Sequence, residues 1–332
     1  MNANQYTPHA LDRLARVGEG VMTVRQLREH GITGAVIAER CRPGGPWQEW
    51  LPQVYLLHEG PPSSEERVRA ALLYAGRGPG THGPAGGGRE AMVTGLAALA
   101  LYRFDCVPPL PGLPRIDVLV TRQRRLRDAG DVVLHRARDL PRPQDVGGLP
   151  CAPAARALAD AVAQLDDTDT VRVLFTEAVR AGHCDASAVV RELAGAGLLD
   201  RLYVRGALDV LRAEGRTAAE QRLYTMTRCH QLPDPVWNVT LTLPGGPPLG
   251  AVDAYWPEHA VAVVIDARIE QEAAGAHATR QRERLEALGI TLVYVTPAKL
   301  RDAMEQQAAV VRTALMASPD GSPAAYVVVT PR

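Results

Sequence analysis

The clearest chemistry in the sequence lies in closely spaced arginines. Arg122, Arg124, Arg125 and Arg127 make the densest positive spot in the chain. Guanidinium groups packed this closely grip phosphate oxygens or the carboxylates of an acidic partner. The competing reading is a solvated turn. A second set lies near the N-terminus, where Arg25, Arg28, Arg40 and Arg42 accompany Thr33, Glu39, Trp47 and Gln48. These types suit contact with DNA, arginine to phosphate and polar groups to base edges. Catalytic signatures are scarce. The nine histidines include no H-x-x-x-H pair, and there is no G-x-S-x-G elbow. His183-Cys184-Asp185 has triad residue types, but such groups must converge in space, and the run reads as a helix end at Gly182. The Gly76–Gly88 stretch lacks the order of a phosphate-binding loop. The five cysteines form no C-x-x-C pair and are odd in number, which argues for inert thiols rather than zinc ribbons or a disulfide framework.

The elements that must carry these residues can be read from periodicity and caps. Residues 9–20 read as a short helix. Thr23 then caps a second helix, Val24 to His30, closed by Gly31, and Thr33 caps a third, Gly34 to Cys41. Pro43-Gly44-Gly45-Pro46 makes a turn, and Trp47 to Leu57 reads as a β-hairpin. Helix, helix, tight turn, helix and β-wing is a winged helix-turn-helix pattern, with the third helix as the reading element. Helices are expected at 64–76 and 89–103. The runs Ile116 to Thr121 and Val132 to Arg136 read as two strands of a hairpin, turned by the four clustered arginines. Four further helices are expected at 153–164, 169–181, 186–194 and 199–213. From residue 217 onward the pattern is helix Ala218–Cys229, strands at 236–243 and 251–256, and a buried apolar strand, Ala260 to Ile265. A helix at 273–288, a strand at 290–295, a helix at 297–316 and an edge strand at 325–330 complete it. This order predicts an α/β sandwich around a mixed sheet.

Length and charge bound the rest. The chain has 332 residues, enough for two or three cores. It carries 37 basic and 37 acidic side chains. Lys299 is the single lysine, so arginine count reflects compositional bias, and only clustering is informative. Residues 1–60 hold six arginines and six acids. Residues 115–142 hold eight arginines against four acids, whereas 214–300 hold eight basic and ten acidic residues. The positive potential that DNA requires is thus concentrated in the middle of the chain. The first sixteen residues are polar, without the apolar core of a signal peptide, and no apolar run is long enough to span a bilayer. A cytoplasmic protein with no membrane partner is expected.

Two stretches carry a family resemblance. Gly20-Val-Met-Thr-Val-Arg-Gln-Leu-Arg-Glu-His-Gly31, continuing to Tyr55-Leu56-Leu57, resembles the winged-helix start of AbiEi-like antitoxin and regulator proteins of actinobacteria. Gln53 stands where a glycine is usual before Val-Tyr. The segment Gly148-Leu-Pro-Cys-Ala-Pro-Ala-Ala-Arg-Ala-Leu-Ala-Asp160 resembles the middle segment of those multidomain proteins. The last 110 or so residues resemble the PD-(D/E)xK endonuclease superfamily in its very-short-patch-repair-like branch. That resemblance implies a carboxylate cluster for Mg²⁺, here Glu220, Asp253 and Asp266. It also implies a Glu where this chain has Val264, and a glycine where it has Ala267. An Asp and an Arg further on are replaced by Ala278 and Gln281. A valine can neither bind a metal nor move a proton, so the three acids are expected to be relics.

The expected architecture is therefore α/β and multidomain. Residues 1–60 form a winged helix-turn-helix, 61–213 a mixed α/β region with a helical end, and 214–332 a degenerate, restriction-endonuclease-like α/β sandwich. The expected function is a non-catalytic transcription regulator of the antitoxin-like kind. It would bind double-stranded DNA through Arg25, Arg28, Thr33, Arg40, Arg42, Trp47, Arg122, Arg124, Arg125 and Arg127. A toxin or other protein partner and a homodimer are further expectations, with no cofactor. The alternatives are a metal-dependent endonuclease of DNA repair or phage defence, with Mg²⁺ on Glu220, Asp253 and Asp266, and an interaction scaffold that does not touch DNA.

Overall fold

A computed structural model describes residues 20–76, 91–266, 282–317 and 327–331. Among these residues the structure is mixed α/β, with three sheets. The expected helix at 9–20 lies outside the described residues up to its last position. Compact packing divides the chain into two units, one comprising residues up to Glu177 with Glu192–Val204, the other Ala178–Arg191 with Arg205–Arg332.

The first unit opens on β1 (Val21–Thr23), α1 (Val24–Glu29), α2 (Gly34–Arg40), β2 (Gln48–Leu51) and β3 (Val54–Leu56). Thr23 accepts the Gln26 N–H while the Gln26 side chain accepts the Thr23 N–H, a capping box that starts α1 where the sequence places it. Gly31 adopts φ +81 beyond the end of α1, and Thr33 caps α2. The strands form an antiparallel sheet in the order β1-β3-β2. Leu27, Ile32, Ile37, Trp47 and Leu57 close one small core beneath the two helices.

α3 (Ser64–Ala75), started by a Ser63–Glu66 capping box, packs both on that sheet and on a second one. The second sheet contains β4 (Ala91–Val93), β5 (Ile116–Thr121), β6 (Val132–Ala137), β7 (Gln144–Val146) and β8 (Leu149–Cys151), in the order β6-β5-β4-β8-β7. The helix expected over 89–103 is in fact the buried strand β4, then Thr94, then α4 (Gly95–Leu101). Ala91, Met92 and Val93 are fully enclosed, and a central strand buried on both faces has no alternation to read. α5 (Ala154–Val162) packs on α4. The expected hairpin at 116–136 is also corrected: β5 and β6 run parallel, Ile116 opposite Val132 and Thr121 opposite Ala137. The connecting residues 122–131 must therefore travel back along the sheet instead of turning sharply.

α6 (Thr168–Arg180), α7 (Ala186–Gly195) and α8 (Leu202–Cys229) come next along the chain. α8 is a single 28-residue helix in place of the two expected at 199–213 and 218–229. Gly215 suggests a break between them, because glycine ordinarily weakens a helix interior. Here it is required, since a Cβ on Gly215 would meet the Ala186 Cβ at 2.6 Å.

The second unit contains β9 (Val236–Thr242), β10 (Pro248–Trp256), β11 (Val261–Ile265), β12 (Thr291–Val295) and β13 (Val328–Pro331), in the order β12-β11-β10-β9-β13. β11 and β12 pair in parallel, and the other neighbours are antiparallel. Leu223 and Met226 of α8, with Ala308, Val311 and Leu315 of the last helix, enclose Trp256, Val261 and Val263. Leu285 and Ile290 join Val252, Tyr255, Ala262 and Leu292 in a second cluster. The helix expected over 297–316 is two, α9 (Pro297–Asp302) and α10 (Met304–Ala317), parted at Ala303 with φ −142. Of the helix expected at 273–288, residues 273–281 lie outside the described residues, and 282–286 are helical. No helix of the described residues is long and apolar enough to cross a membrane.

Candidate functional site

α1 and α2 meet at a turn through Gly31 and Ile32, and the burial of Ile32 anchors the two helices over the small core. Thr33, Gly34, Ala35, Ala38 and Glu39 lie on the exposed side of α2. The Thr33 hydroxyl accepts the Val36 N–H, so its first task is the cap. Arg40 stacks over the Trp47 ring, 6.0 Å from its centroid, and Trp47 itself is buried in the core. Trp47 supports Arg40 from below and, contrary to its expected place as a DNA-contacting residue, is not presented at the surface. Arg42 pairs with Glu39, and Arg25 with Glu29 at 2.9 Å, all on the exposed surface. Arg28 is exposed and carries no described ion pair. Exposed pairs of this kind are worth about 0–1 kcal/mol, so a phosphate can displace the carboxylate at little cost. The β2–β3 hairpin is short, with Pro52 and Gln53 exposed at its tip. Gln53 holds φ +62 where glycine is usual, and its N–H is held by the Glu49 carboxylate at 2.6 Å.

The four clustered arginines are carried on a strap at residues 122–131 beside the outer edge of β6. Hydrogen bonds tie it down along its length. The Arg122 N–H donates to Ala137, and the Arg136 side chain donates to the Leu126 carbonyl. The Tyr74 hydroxyl donates to the Arg127 carbonyl at 2.7 Å. Asp128 accepts the Leu134 N–H at 2.9 Å, and Ala129 exchanges backbone hydrogen bonds with Val132. Arg67 of α3 donates to Asp131 at 2.7 Å and to the Leu113 carbonyl at 3.0 Å. The strap covers an edge strand that would otherwise offer unpaired backbone groups. Arg122, Arg125 and Arg127 remain exposed, while Arg124 is half-buried.

A buried polar network in the same unit has no motif in the sequence. His135 Nε2 lies 2.8 Å from an Asp117 oxygen, and the Gln164 amide donates to that same oxygen at 3.1 Å. The Thr94 hydroxyl donates to Asp160 at 2.6 Å, and Arg156 donates to Asp160 at 3.0 Å. Asp117 and Asp160 are almost fully buried. Burial works against a charged His135 ring, but the Asp117 hydrogen bond and the Asp160 and Asp117 carboxylates outweigh it and raise its pKa, with Arg156 opposing. Gly95, at φ +58, lets α4 begin directly against Asp117, whose carboxylate stands 2.9 Å from where a Cβ would be. A single polar residue, Asp117 in an apolar strand, is the only hint the sequence carries.

In the second unit, two of the acids that the endonuclease alternative would place on a metal, Glu220 and Asp253, are paired with an arginine. Arg216, midway along α8, reaches Glu220 at 2.7 Å and Asp253 at 2.8 Å. The other Asp253 oxygen accepts the Ile265 N–H at 2.7 Å, just where β10 and β11 part. A guanidinium thus sits between the two carboxylates, where a divalent ion would need to sit. Asp266 lies one residue past β11, with its N–H on the Val295 carbonyl. It neighbours Tyr294, whose phenol pKa is raised by burial and by that carboxylate. Val264 packs into the second hydrophobic cluster. Ala267, Ala278 and Gln281 lie outside the described residues. Among the described residues no group of three or more His, Cys, Asp or Glu is placed to hold a metal. As arranged, Glu220 and Asp253 do not fit a Mg²⁺ ion, because both already neutralise Arg216.

Three of the thiols are poor nucleophiles. Burial pushes Cys151 and Cys184 up to about 12, and at Cys106, which keeps an exposed surface, partial desolvation together with the Glu177 carboxylate does the same. Asp185 is no catalytic acid beside Cys184: it pairs with Arg301 at 2.6 Å and Arg222 at 3.4 Å, and burial raises its pKa against their pull. Compared with known proteins, the chain matches no protein-family model, and no curated protein matches it.

Proposed function

We propose that this protein is a double-stranded DNA-binding transcription regulator that reads DNA with a winged helix-turn-helix and performs no catalysis. The observation that carries this reading is the α1–turn–α2 pair, buried on one side and exposed along α2, followed by the short β2–β3 hairpin, which pairs with β1 ahead of α1 in a three-stranded sheet. The antitoxin-like context, a toxin or other protein partner and a homodimer belong to the same proposal and rest on the resemblance carried by residues 20–57 and 148–160. A dimer would pair two half-sites and offset the neutral charge of a single winged helix. The mixed sheet of the second unit, with helices packed against it, supports a nuclease-derived fold that serves packing or partner binding.

The metal-dependent endonuclease is the weaker reading, because Arg216 occupies the space between Glu220 and Asp253. The test uses purified full-length protein and a duplex from its own promoter region. At about 50 mM salt a mobility shift is expected at micromolar protein or below, since phosphate contacts are strongest at low salt. Charge reversal at Arg28 and Arg42 should abolish it. Supercoiled plasmid incubated with Mn²⁺ should remain uncut. Absence of a shift defeats the regulator reading, and cleavage that disappears in Asp253→Ala establishes the endonuclease.

A further inference from the structure

The basic strap lies next to the wing. A Cβ placed on Gly130 would sit 3.0 Å from Leu51 Cδ2, and Leu51 ends β2 immediately before the exposed wing tip Pro52-Gln53. α3 links the two, since it packs on the wing sheet and holds the strap through Arg67–Asp131 and Tyr74–Arg127. Along the strap, Arg122, Arg125 and Arg127 are exposed without a described ion pair, whereas Asp131 is neutralised by Arg67 and Asp128 is turned onto the Leu134 N–H. The wing's own acid, Glu49, is bonded back to the Gln53 N–H.

We infer that the 122–131 strap is a second, sequence-independent phosphate clamp that continues the wing along the DNA backbone. The inference rests on the DNA-binding reading above and adds a distinct surface to it. A flexible basic loop would lose conformational entropy on gripping phosphate. This one is already ordered by hydrogen bonds from β6, α3 and its own ends, so its arginines meet the backbone with only side-chain freedom to lose. Three arginines that give no base-edge contact raise affinity for any duplex, while α2 supplies the discrimination. The strap thereby furnishes the positive charge that residues 1–60 lack.

The test compares wild type with Arg122→Ala/Arg125→Ala/Arg127→Ala by fluorescence anisotropy, on the promoter duplex and on a scrambled duplex of equal length, across about 50–200 mM salt. These side chains are exposed and the strap is held by backbone and other residues, so the triple variant should keep the wild-type circular dichroism and melting temperature. Each lost phosphate contact lowers the slope of log K against log salt by about 0.9. A slope shallower by about 2–3, with equal loss on both duplexes, is the expected result. An unchanged slope with binding intact overturns the strap alone. A loss confined to the promoter duplex also overturns it, because the arginines would then be reading sequence. No binding of wild type to either duplex removes the strap together with the DNA-binding reading.

Discussion

At the scale of single residues, two arrangements carry measurable consequences. The first is His135. Its folded pKa lies above the ordinary 6.5, so its charged ring stabilises the fold fully below about pH 6.5, and that contribution fades as pH rises through the higher folded value. Above that range a neutral ring still donates from Nε2 to Asp117, so only the charge attraction disappears. His135→Gln, compared with wild type by thermal unfolding, should therefore lose more stability at about pH 5.5 than at about pH 8.5; an equal loss at both contradicts the raised pKa. The second is Arg216. Asp253 is 4% exposed and gives one oxygen to Arg216 and the other to the Ile265 N–H. Asp253→Ala leaves the Ile265 N–H without its acceptor and takes from Arg216 one of its two carboxylates, at about 1–3 kcal/mol by urea unfolding. Glu220→Ala breaks only a partly exposed pair and should cost about 0–1 kcal/mol. Equal costs would mean that Asp253 is not the keystone of the cluster.

At the scale of elements, local capping chemistry explains what is legible in the sequence. Thr23-x-x-Gln26 and Ser63-x-x-Glu66 are capping boxes in the chain itself, and both helices begin where those residues stand. Gly215 is the opposite case. In isolation it argues for two helices, but the nearness of Ala186 makes glycine the one residue that lets α7 approach a continuous α8. Gly215→Ala should raise intrinsic helicity and yet destabilise the protein by about 1–3 kcal/mol, through the overpacked contact. Chemical unfolding checks this, and a stabilised variant would show that α7 can move aside. The parallel pairing of β5 and β6 is equally hidden. Both strands are short apolar runs, and a link rich in arginine between Thr121 and Val132 is as long as either a loose hairpin or a return crossing. The choice lies in contacts to Tyr74, Arg67 and Arg136, outside the link itself.

At the scale of the whole molecule, ion pairing divides the arginines into committed and exposed groups. Exposed arginines without a described ion pair include Arg28 and the strap's Arg122, Arg125 and Arg127 in the first unit, and Arg205, Arg228, Arg284 and Arg312 in the second. In the second, Arg216, Arg222 and Arg301 are turned onto Asp253, Glu220 and Asp185. These three arginines therefore reinforce the second unit and add little to the positive potential at its surface. A neutral total over 332 residues conceals this division. The sequence alone determined the α1–α2 pair with its caps, the buried strand β11 and the mixed sheet of the second unit. Each depends on neighbours within about a turn or on the apolar period of one element. Tertiary structure decided the direction of β6, the burial of Trp47, the Asp117–His135 pair and the partner of Asp253. Those depend on groups far apart along the chain, 18 positions for His135 and Asp117 and 37 for Arg216 and Asp253. A chain carries no local mark of which distant group will lie across a sheet.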